Sequence, residues 1–309
     1  MKVIKKGLIY KATGKHGFDY SHCHKPTPLI IDENTVRVYF GARDSNNKTR
    51  VTFVDLDSNN LSKVKYIHDK PILDLGKIGT FDDSGVNVSS VIRDGSKIYM
   101  YYIGVNTSTT VHMRNAIGVA LSEDNGLTFN RLYDGAILDR TKDEPYYTGA
   151  VDVIKEDSIW KCYYTCGLEW KIINNKPEIF YHIKYATSTN GIDWQRDNIL
   201  CISPRNELEI SARPCVYKED GIYKMLYSKR DILDFRTDKN HGYKAGYAES
   251  KDGITWERKD EEFELNLSQE GWDSEAIAYP YLLKLNGQNI IFYNGNGFGR
   301  SGFGYAILE

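Results

Sequence analysis

Apolar residues in this chain come in short runs, broken at close intervals by clusters of Asn, Asp, Gly and Ser. Within the runs, apolar and polar positions mostly alternate with the period of two that sets a half-buried strand. "RVYFGARD" (37–44), "KIYMYYIG" (97–104), "WKCYYTCG" (160–167), "YKMLYSKR" (223–230) and "NIIFYNGN" (289–296) each read as an apolar strand ending in polar residues. Each follows a further strand, in "PTPLIID", "VNVSSVIRD", "AVDVIKED", "ARPCVYKED" and "AYPYLLKLN". Three downstream segments are copies of one another: "ALSEDNGLTFNR" (120–131), "ATSTNGIDWQR" (186–196) and "AESKDGITWER" (248–258). In each, Ala is followed two residues on by Ser, then by a Gly-containing turn, with an aromatic three after the Gly. This is a hairpin whose second strand has a large side chain to bury.

Val54, Ala120, Ala186, Ala248 and Ala306 occupy equivalent places, at spacings of 66, 66, 62 and 58 residues. Five all-strand units of this size predict a five-bladed β-propeller spanning residues 1–309 as one domain, a radial arrangement that leaves few exposed edges. The first strand, "LIY" (8–10), is placed to pair with the last blade and close the ring. A continuous β-sandwich would not account for a fivefold repeat.

Composition narrows the partners. Charge is balanced, with 40 Lys and Arg against 42 Asp and Glu, which speaks against nucleic acid or an anionic membrane as the main partner. No apolar run is long enough to cross a bilayer and the N-terminus lacks an apolar secretion core, so no membrane insertion and a cytoplasmic location are expected. Five cysteines, an odd number, fit reduced thiols. Cys162 and Cys166 share a strand face but lack a second ligand pair, so they read as buried thiols. Gly-rich phosphate loops, dinucleotide fingerprints, H-E-x-x-H and paired C-x-x-C are absent.

Candidate chemistry gathers at the entry to the first strand of each unit. In "GWDSEAIAYPYLLK", Asp273 and Glu275 share a face if the segment is extended. Glu207 and Glu209 hold the same places before Pro214 that these two hold before Pro280. Asp82 and Asp83 align in unit two and Glu144 in unit three, while unit one offers His22 and His24. The predicted picture is a ring of acids at the channel mouth, with Asp83, Glu209, Asp273 and Glu275 as catalytic candidates. Such a ring holds a cation or separates pKa values between an acid and a base, as glycoside cleavage requires. No metal site is assigned and no cofactor is expected, a channel-bound cation being the exception left open. Substrate contacts are assigned to His24, Arg43, Asp82, Glu144, Arg213, Trp272, Asn294 and Asn296, with Trp170, Tyr279 and Tyr281 as further sugar-facing rings. Structural roles compete with these: an Asx turn at Asp82–Asp83, an Arg213–Glu209 ion pair, an Arg–Asp pair in "FGARD" and "YSKRD", and loop shaping by Asn294 and Asn296.

The repeated A-S-x-D-G-x-W-x-R element and five inner strands resemble the propellers of glycoside hydrolase families 43, 32 and 68. "SHCHKPTPLIID", "FDDSGVNV" and "YNGNGFGRSGFGYAILE" are similar to family-32-like bacterial proteins of surface-polysaccharide gene clusters. They also resemble the N-terminal part of plant glucosamine inositolphosphorylceramide transferases. The resemblance spans the chain and implies carbohydrate chemistry. Those hydrolases carry an Asp on blade one, an Asp on blade two and a Glu on blade three. Here blade two matches at Asp82 or Asp83, blade one has histidines, and blade three has only Glu144 ahead of its strand. The first expectation is a glycosidase acting on a glycoside or activated sugar, with a carbohydrate or sugar-nucleotide as substrate. A family-130-type glycoside phosphorylase holding phosphate on His24, Arg43, Arg213 and Lys229 is the alternative, followed by a non-catalytic sugar-binding or assembly module, or part of a glycosyl transfer system.

Overall fold

The computed structural model describes residues 1–309 and is built of five four-stranded antiparallel sheets. Blade one orders β2 (Ser21–Asp32), β3 (Thr35–Arg43), β4 (Thr49–Asp57) and β5 (Asn60–Ile67). Blade two holds β6 (Gly85–Asp94), β7 (Lys97–Asn106), β8 (Arg114–Ser122) and β9 (Asn130–Arg131). Blade three holds β10 (Tyr147–Glu156), β11 (Ile159–Ile173), β12 (Lys176–Ser188) and β13 (Gln195–Leu200). Blade four holds β14 (Glu209–Glu219), β15 (Ile222–Asp231), β16 (Lys244–Ser250) and β17 (Glu257–Arg258). Blade five runs β18 (Ala278–Leu285), β19 (Gln288–Asn294) and β20 (Phe303–Leu308), and β1 (Val3–Tyr10) supplies its outer strand. The ring therefore closes as the sequence suggested. The repeat alignment holds residue for residue: Val54, Ala120, Ala186, Ala248 and Ala306 pair with Val38, Met100, Cys162, Met225 and Ile291.

Five apolar clusters, one between each pair of neighbouring blades, form the core. Sheets pack face to face this way because each blade must bury both faces against its neighbours. The hairpin repeat reinforces each contact. The Ser122, Ser188 and Ser250 hydroxyls accept the amide protons of Gly126, Gly191 and Gly253 at 2.8, 3.0 and 2.9 Å. The carbonyls of those glycines accept the hydroxyls of Tyr39, Tyr101 and Tyr163 from the preceding blade at 3.0, 3.0 and 2.9 Å. On the axis, buried Asp152 accepts from Ser90, Tyr281 and the Val216 amide, so one carboxylate joins four blades. All five cysteines are free and buried.

Each innermost strand also carries an irregularity in its register near its N-terminal end. In three blades it is built on an X-Pro pair: Lys25–Pro26, Arg213–Pro214 and Tyr279–Pro280. The residue before each proline has positive φ, 54°, 53° and 59° respectively. A residue before proline ordinarily prefers extended backbone, so these positions are strained and must be held by their surroundings. Asn294 holds one of them, accepting the Lys25 amide at 2.8 Å while donating to the Cys23 and Gly302 carbonyls.

Candidate functional site

The three strained residues all face one cavity. It lies at the N-terminal ends of the innermost strands and has a volume of about 420 Å³. Bulges re-aim side chains that a regular strand would point elsewhere, and here they bring Lys25, Arg213 and Tyr279 into one wall with His24, Arg43 and Arg230.

The charge of this wall is lopsided. Arg213 is fully buried; its Nη2 donates to the Thr27 hydroxyl at 2.9 Å, and its Nε and Nη1 have no partner. The Nε of Arg43 and that of Arg230 are also buried and unpartnered. Lys25 lies 4.7 Å from the Tyr279 ring centroid, and its amine is pushed down to about 7 by burial and by the Arg213 and Arg43 guanidiniums. His24 makes no hydrogen bond through either ring nitrogen, and burial with Arg43 and Lys25 drives its pKa well down, leaving a neutral imidazole. Burial and Arg43 likewise push His22, stacked on His24 at 4.8 Å, down to about 4. The one carboxylate in the lining is Glu178, held by Arg236 at 3.1 Å. Buried charges without partners cost several kcal/mol each in a closed site, so this wall is complementary to an anion.

Aromatic rings pack directly against these cations. Tyr243, Tyr279, Phe235 and Phe298 pack on one another, and Arg230 lies 3.4 Å from the Phe235 ring centroid. The Tyr181 and Tyr243 hydroxyls are 3.3 Å apart, and Tyr181 accepts from Arg230 at 3.1 Å. Burial opposes ionisation of Tyr243, but Arg230 beside it turns the net direction of its pKa downward. Toward blade two, Asn87 and Asn115 present buried amide oxygens that have no donor.

The expected ring of acids does not assemble at this mouth: Asp82, Asp83, Glu144, Glu209, Asp273 and Glu275 are all absent from the cavity lining. Most of them instead tie each blade's entry loop to its own outer strands. Asp82 accepts from Tyr102 at 3.2 Å and from Arg131 at 2.7 Å. Glu144 accepts from Tyr164 at 2.8 Å, Arg196 at 2.9 Å and Lys184 at 3.0 Å. Asp273 accepts from Tyr293 at 3.0 Å and from Lys5 of β1 at 2.7 Å. In all three the tyrosine follows the acid by 20 positions. Glu209 pairs with Arg258 at 2.6 and 2.9 Å, and Asp260 takes over the Tyr227 hydroxyl at 2.7 Å. The arginine that ends the hairpin repeat is thus the partner of the acid.

Other expectations resolve similarly. The Arg213–Glu209 pair gives way to Arg213–Thr27 and Glu209–Arg258. Asp44 pairs with Arg50 at 2.8 Å, which frees Arg43 for the cavity, and Lys229 is held by Asp260 at 2.7 Å. Glu275 is exposed, with Asn296 accepting its backbone amide at 2.8 Å. Trp272 stacks on Tyr293 at 5.0 Å, and Asn294 and Asn296 fix loops. Asp83 lines a groove adjoining the cavity. Of the residues expected to contact substrate, His24, Arg43, Arg213 and Tyr279 line the cavity. Lys25, Asn87, Asn115, Tyr181, Arg230 and Tyr243 were missed, and the third X-Pro pair was the available signal for Lys25. No group of three or more His, Cys, Asp or Glu side chains is placed to hold a metal ion.

The fold is a five-bladed β-propeller of the kind found in glycoside hydrolases. A solved structure named "Glycoside hydrolase" matches with TM-score 0.75 at 16% identity, covering 98% of this chain and 90% of its own. A thermostable family-43 glycoside hydrolase matches with TM-score 0.67 at 18% identity, over 93% of this chain and 88% of its own. By sequence, the chain belongs to the family of the uncharacterized protein MT1551 of Mycobacterium tuberculosis (strain CDC 1551 / Oshkosh), to which it is 32% identical over 306 residues, 99% of this chain and 98% of the relative. The 1,2-beta-oligomannan phosphorylase of Thermoanaerobacter sp. (strain X514) is 25% identical over 169 residues, 53% of each chain. No family model matches the sequence.

Proposed function

We propose that this protein is a carbohydrate-active enzyme that cleaves a glycosidic bond with phosphate, bound in the central cavity on Arg43, Arg213, Lys25 and His24. One observation carries the reading: the unpartnered guanidinium nitrogens of Arg43 and Arg213 in a wall without a free carboxylate. Phosphate satisfies several such donors at once through its oxygens. In the reaction a phosphate oxygen bonds to the anomeric carbon while the carbon–oxygen bond to the leaving sugar breaks. The departing oxygen takes a proton, and the hydrogen-bonded phenols of Tyr181 and Tyr243 are the proton carriers at the wall. The aromatic wall suits the C–H faces of the sugar. Partial similarity to an oligomannan phosphorylase makes β-mannosides the first substrates to try. A cytoplasmic setting and a role in surface-polysaccharide metabolism fit this reading and its intracellular phosphate supply.

Hydrolysis is the second reading, favoured by the fold of the hydrolase structures it matches and by Glu178, a carboxylate on the cavity wall. The test is turnover of β-mannosides, other oligosaccharides, aryl glycosides and nucleotide sugars with and without inorganic phosphate, beside Arg213→Met. Sugar 1-phosphate that forms only with phosphate and is lost in Arg213→Met supports phosphorolysis. Free sugar released at equal rates without phosphate replaces it with hydrolysis. Saturable sugar binding without any turnover would point to a binding module.

A further inference from the structure

A second hollow, of about 240 Å³, lies between blades two and three. Small-molecule pockets usually span about 300–1,000 Å³, so it is small for a separate site. It is also continuous with the central cavity. Asn115 lines both, and Ser84 and Val105 of the cavity are direct chain neighbours of groove residues Asp83 and Asn106. We propose that this groove is the subsite for the leaving saccharide, so that the ligand runs from an anion at Arg213 to a neutral sugar chain over blades two and three. The proposal rests on the reading above for the chemistry, though not for saccharide binding itself.

Hydrogen-bond polarity argues for it. Asn115 donates its amide nitrogen to the Tyr147 hydroxyl at 3.0 Å, while its buried Oδ1 has no donor. Asn87 Oδ1, facing the cavity on the same side, is equally unsatisfied. A buried acceptor left bare costs about 1–3 kcal/mol. A phosphate dianion carries a single O–H and is otherwise all acceptor, whereas a sugar presents hydroxyl donors around its whole ring. The walls therefore divide into a donor side that wants an anion and an acceptor side that wants hydroxyl groups. The groove continues the acceptor side. The Gly79 amide, Ser84 and Asn106 hold the Asp83 carboxyl below its ordinary pKa, so it stays ionised and can accept further hydroxyls. Phe81, stacked on Tyr102, offers an apolar face to a sugar ring. Arg114 and Arg140 flank the opening and can donate to ring and hydroxyl oxygens.

The test plugs the groove from its exposed rim. Thr107→Trp, with Arg140→Trp as a second plug, is compared with wild type by calorimetry against inorganic phosphate and against paired mono- and disaccharides, beginning with mannose and β-1,2-mannobiose. Wild type should bind one disaccharide at least tenfold tighter than its monosaccharide. Both plugged variants should lose that tenfold advantage and keep monosaccharide and phosphate affinity within twofold. Unchanged disaccharide binding in both plugged variants overturns the proposal, as does a panel in which no disaccharide outbinds its monosaccharide. If phosphate does not bind but the plugs still abolish disaccharide preference, the groove stands and the phosphorolytic reading falls.

Discussion

Arg213 of blade four donates to the Thr27 hydroxyl of blade one at 2.9 Å, across the axis of the propeller. This is the only hydrogen bond its side chain makes, and the guanidinium stands 4.5 Å from the Tyr281 ring centroid. A fully buried cation held by one hydroxyl and one aromatic ring, with the Asp152 carboxylate acting on it only through space, is undercompensated. Arg213→Met, similar in length and apolar, should therefore be neutral or stabilising in the absence of ligand, as replacing a poorly paired buried charge often is. The same change should weaken phosphate binding by about ten- to a hundredfold, the value of a charge-assisted hydrogen bond of about 1.5–3 kcal/mol. Thermal unfolding with and without phosphate reads both effects. A large drop in Tm without ligand, with phosphate stabilisation retained, would show that Arg213 is structural.

Lys25 sets the pH dependence. Its amine is lowered to about 7, whereas His22 lies near 4 and burial drives His24 well below its ordinary value. Only Lys25 among these three gains or loses charge around neutrality. Below about 7 it is a cation and adds to the attraction for an anion; above, that contribution is lost. Sulfate keeps its charge across this range, unlike phosphate, and is the cleaner probe. Sulfate affinity should fall as pH rises through about 7, Lys25→Met should be weak at every pH, and Lys25→Arg should stay tight on the alkaline side. A flat wild-type profile by calorimetry would exclude Lys25 as the titrating group.

The acids of the blade entries predict stability rather than binding. Asp82→Asn and Glu144→Gln each remove one charge from a buried pair, and each should cost about 3 kcal/mol, a fall in Tm of several degrees. Phosphate binding should be unaffected. The pH trend follows the same pairs. Arg196, Tyr164 and Lys184 outweigh burial to lower Glu144, and Lys229, Tyr227, the Tyr247 amide and Arg258 outweigh it to bring Asp260 to about 2. Such depressed carboxyls stabilise the fold above their unfolded pKa of about 4, and lose that contribution as pH falls toward 2. Acid denaturation should thus move to higher pH in Arg196→Met, because Glu144 then loses a partner. An unchanged acid midpoint would remove the pair from the stability argument.

The fold was legible because its cause is local and repeated. Strand periodicity, the Ser-Gly hairpin and the spacing of Ala120, Ala186 and Ala248 report the same blade, and the structure pairs those residues in the same register. The site was harder to read because two different demands leave the same mark. Acids recur at each blade entry, and recurrence looked like convergence on the axis. The partner that decides the matter, Arg131 for Asp82, lies 49 positions downstream, within the hairpin repeat itself. Tyr102, Tyr164 and Tyr293, each 20 positions after its acid, were the sequence trace of a tie within one blade. Function instead sits where the blades differ. Lys25, Arg213 and Tyr279 share a proline and a strained backbone but no common side-chain chemistry, so a search for repeated residues passed over one of them.

The hairpin glycines give a test of how blades are held to one another. Gly126 has φ of +80°, and a Cβ there would lie 2.0 Å from the Tyr39 hydroxyl oxygen of the neighbouring blade. Gly221 has φ of +79° with nothing within 4 Å. Both substitutions to alanine bear the backbone cost of a left-handed residue, roughly 1 kcal/mol. Only Gly126→Ala also drives Tyr39 out of a packed interface and breaks its hydrogen bond to the Gly126 carbonyl, adding about 1–3 kcal/mol. Gly126→Ala should therefore be clearly less stable than Gly221→Ala in chemical denaturation. Tyr39→Phe removes the clashing oxygen, so adding it to Gly126→Ala should cost less than adding it to wild type, a coupling of opposite sign to simple additivity. Equal losses from the two glycines, or full additivity with Tyr39→Phe, would mean that the turn is stabilised within its own blade and the tyrosine contact contributes nothing.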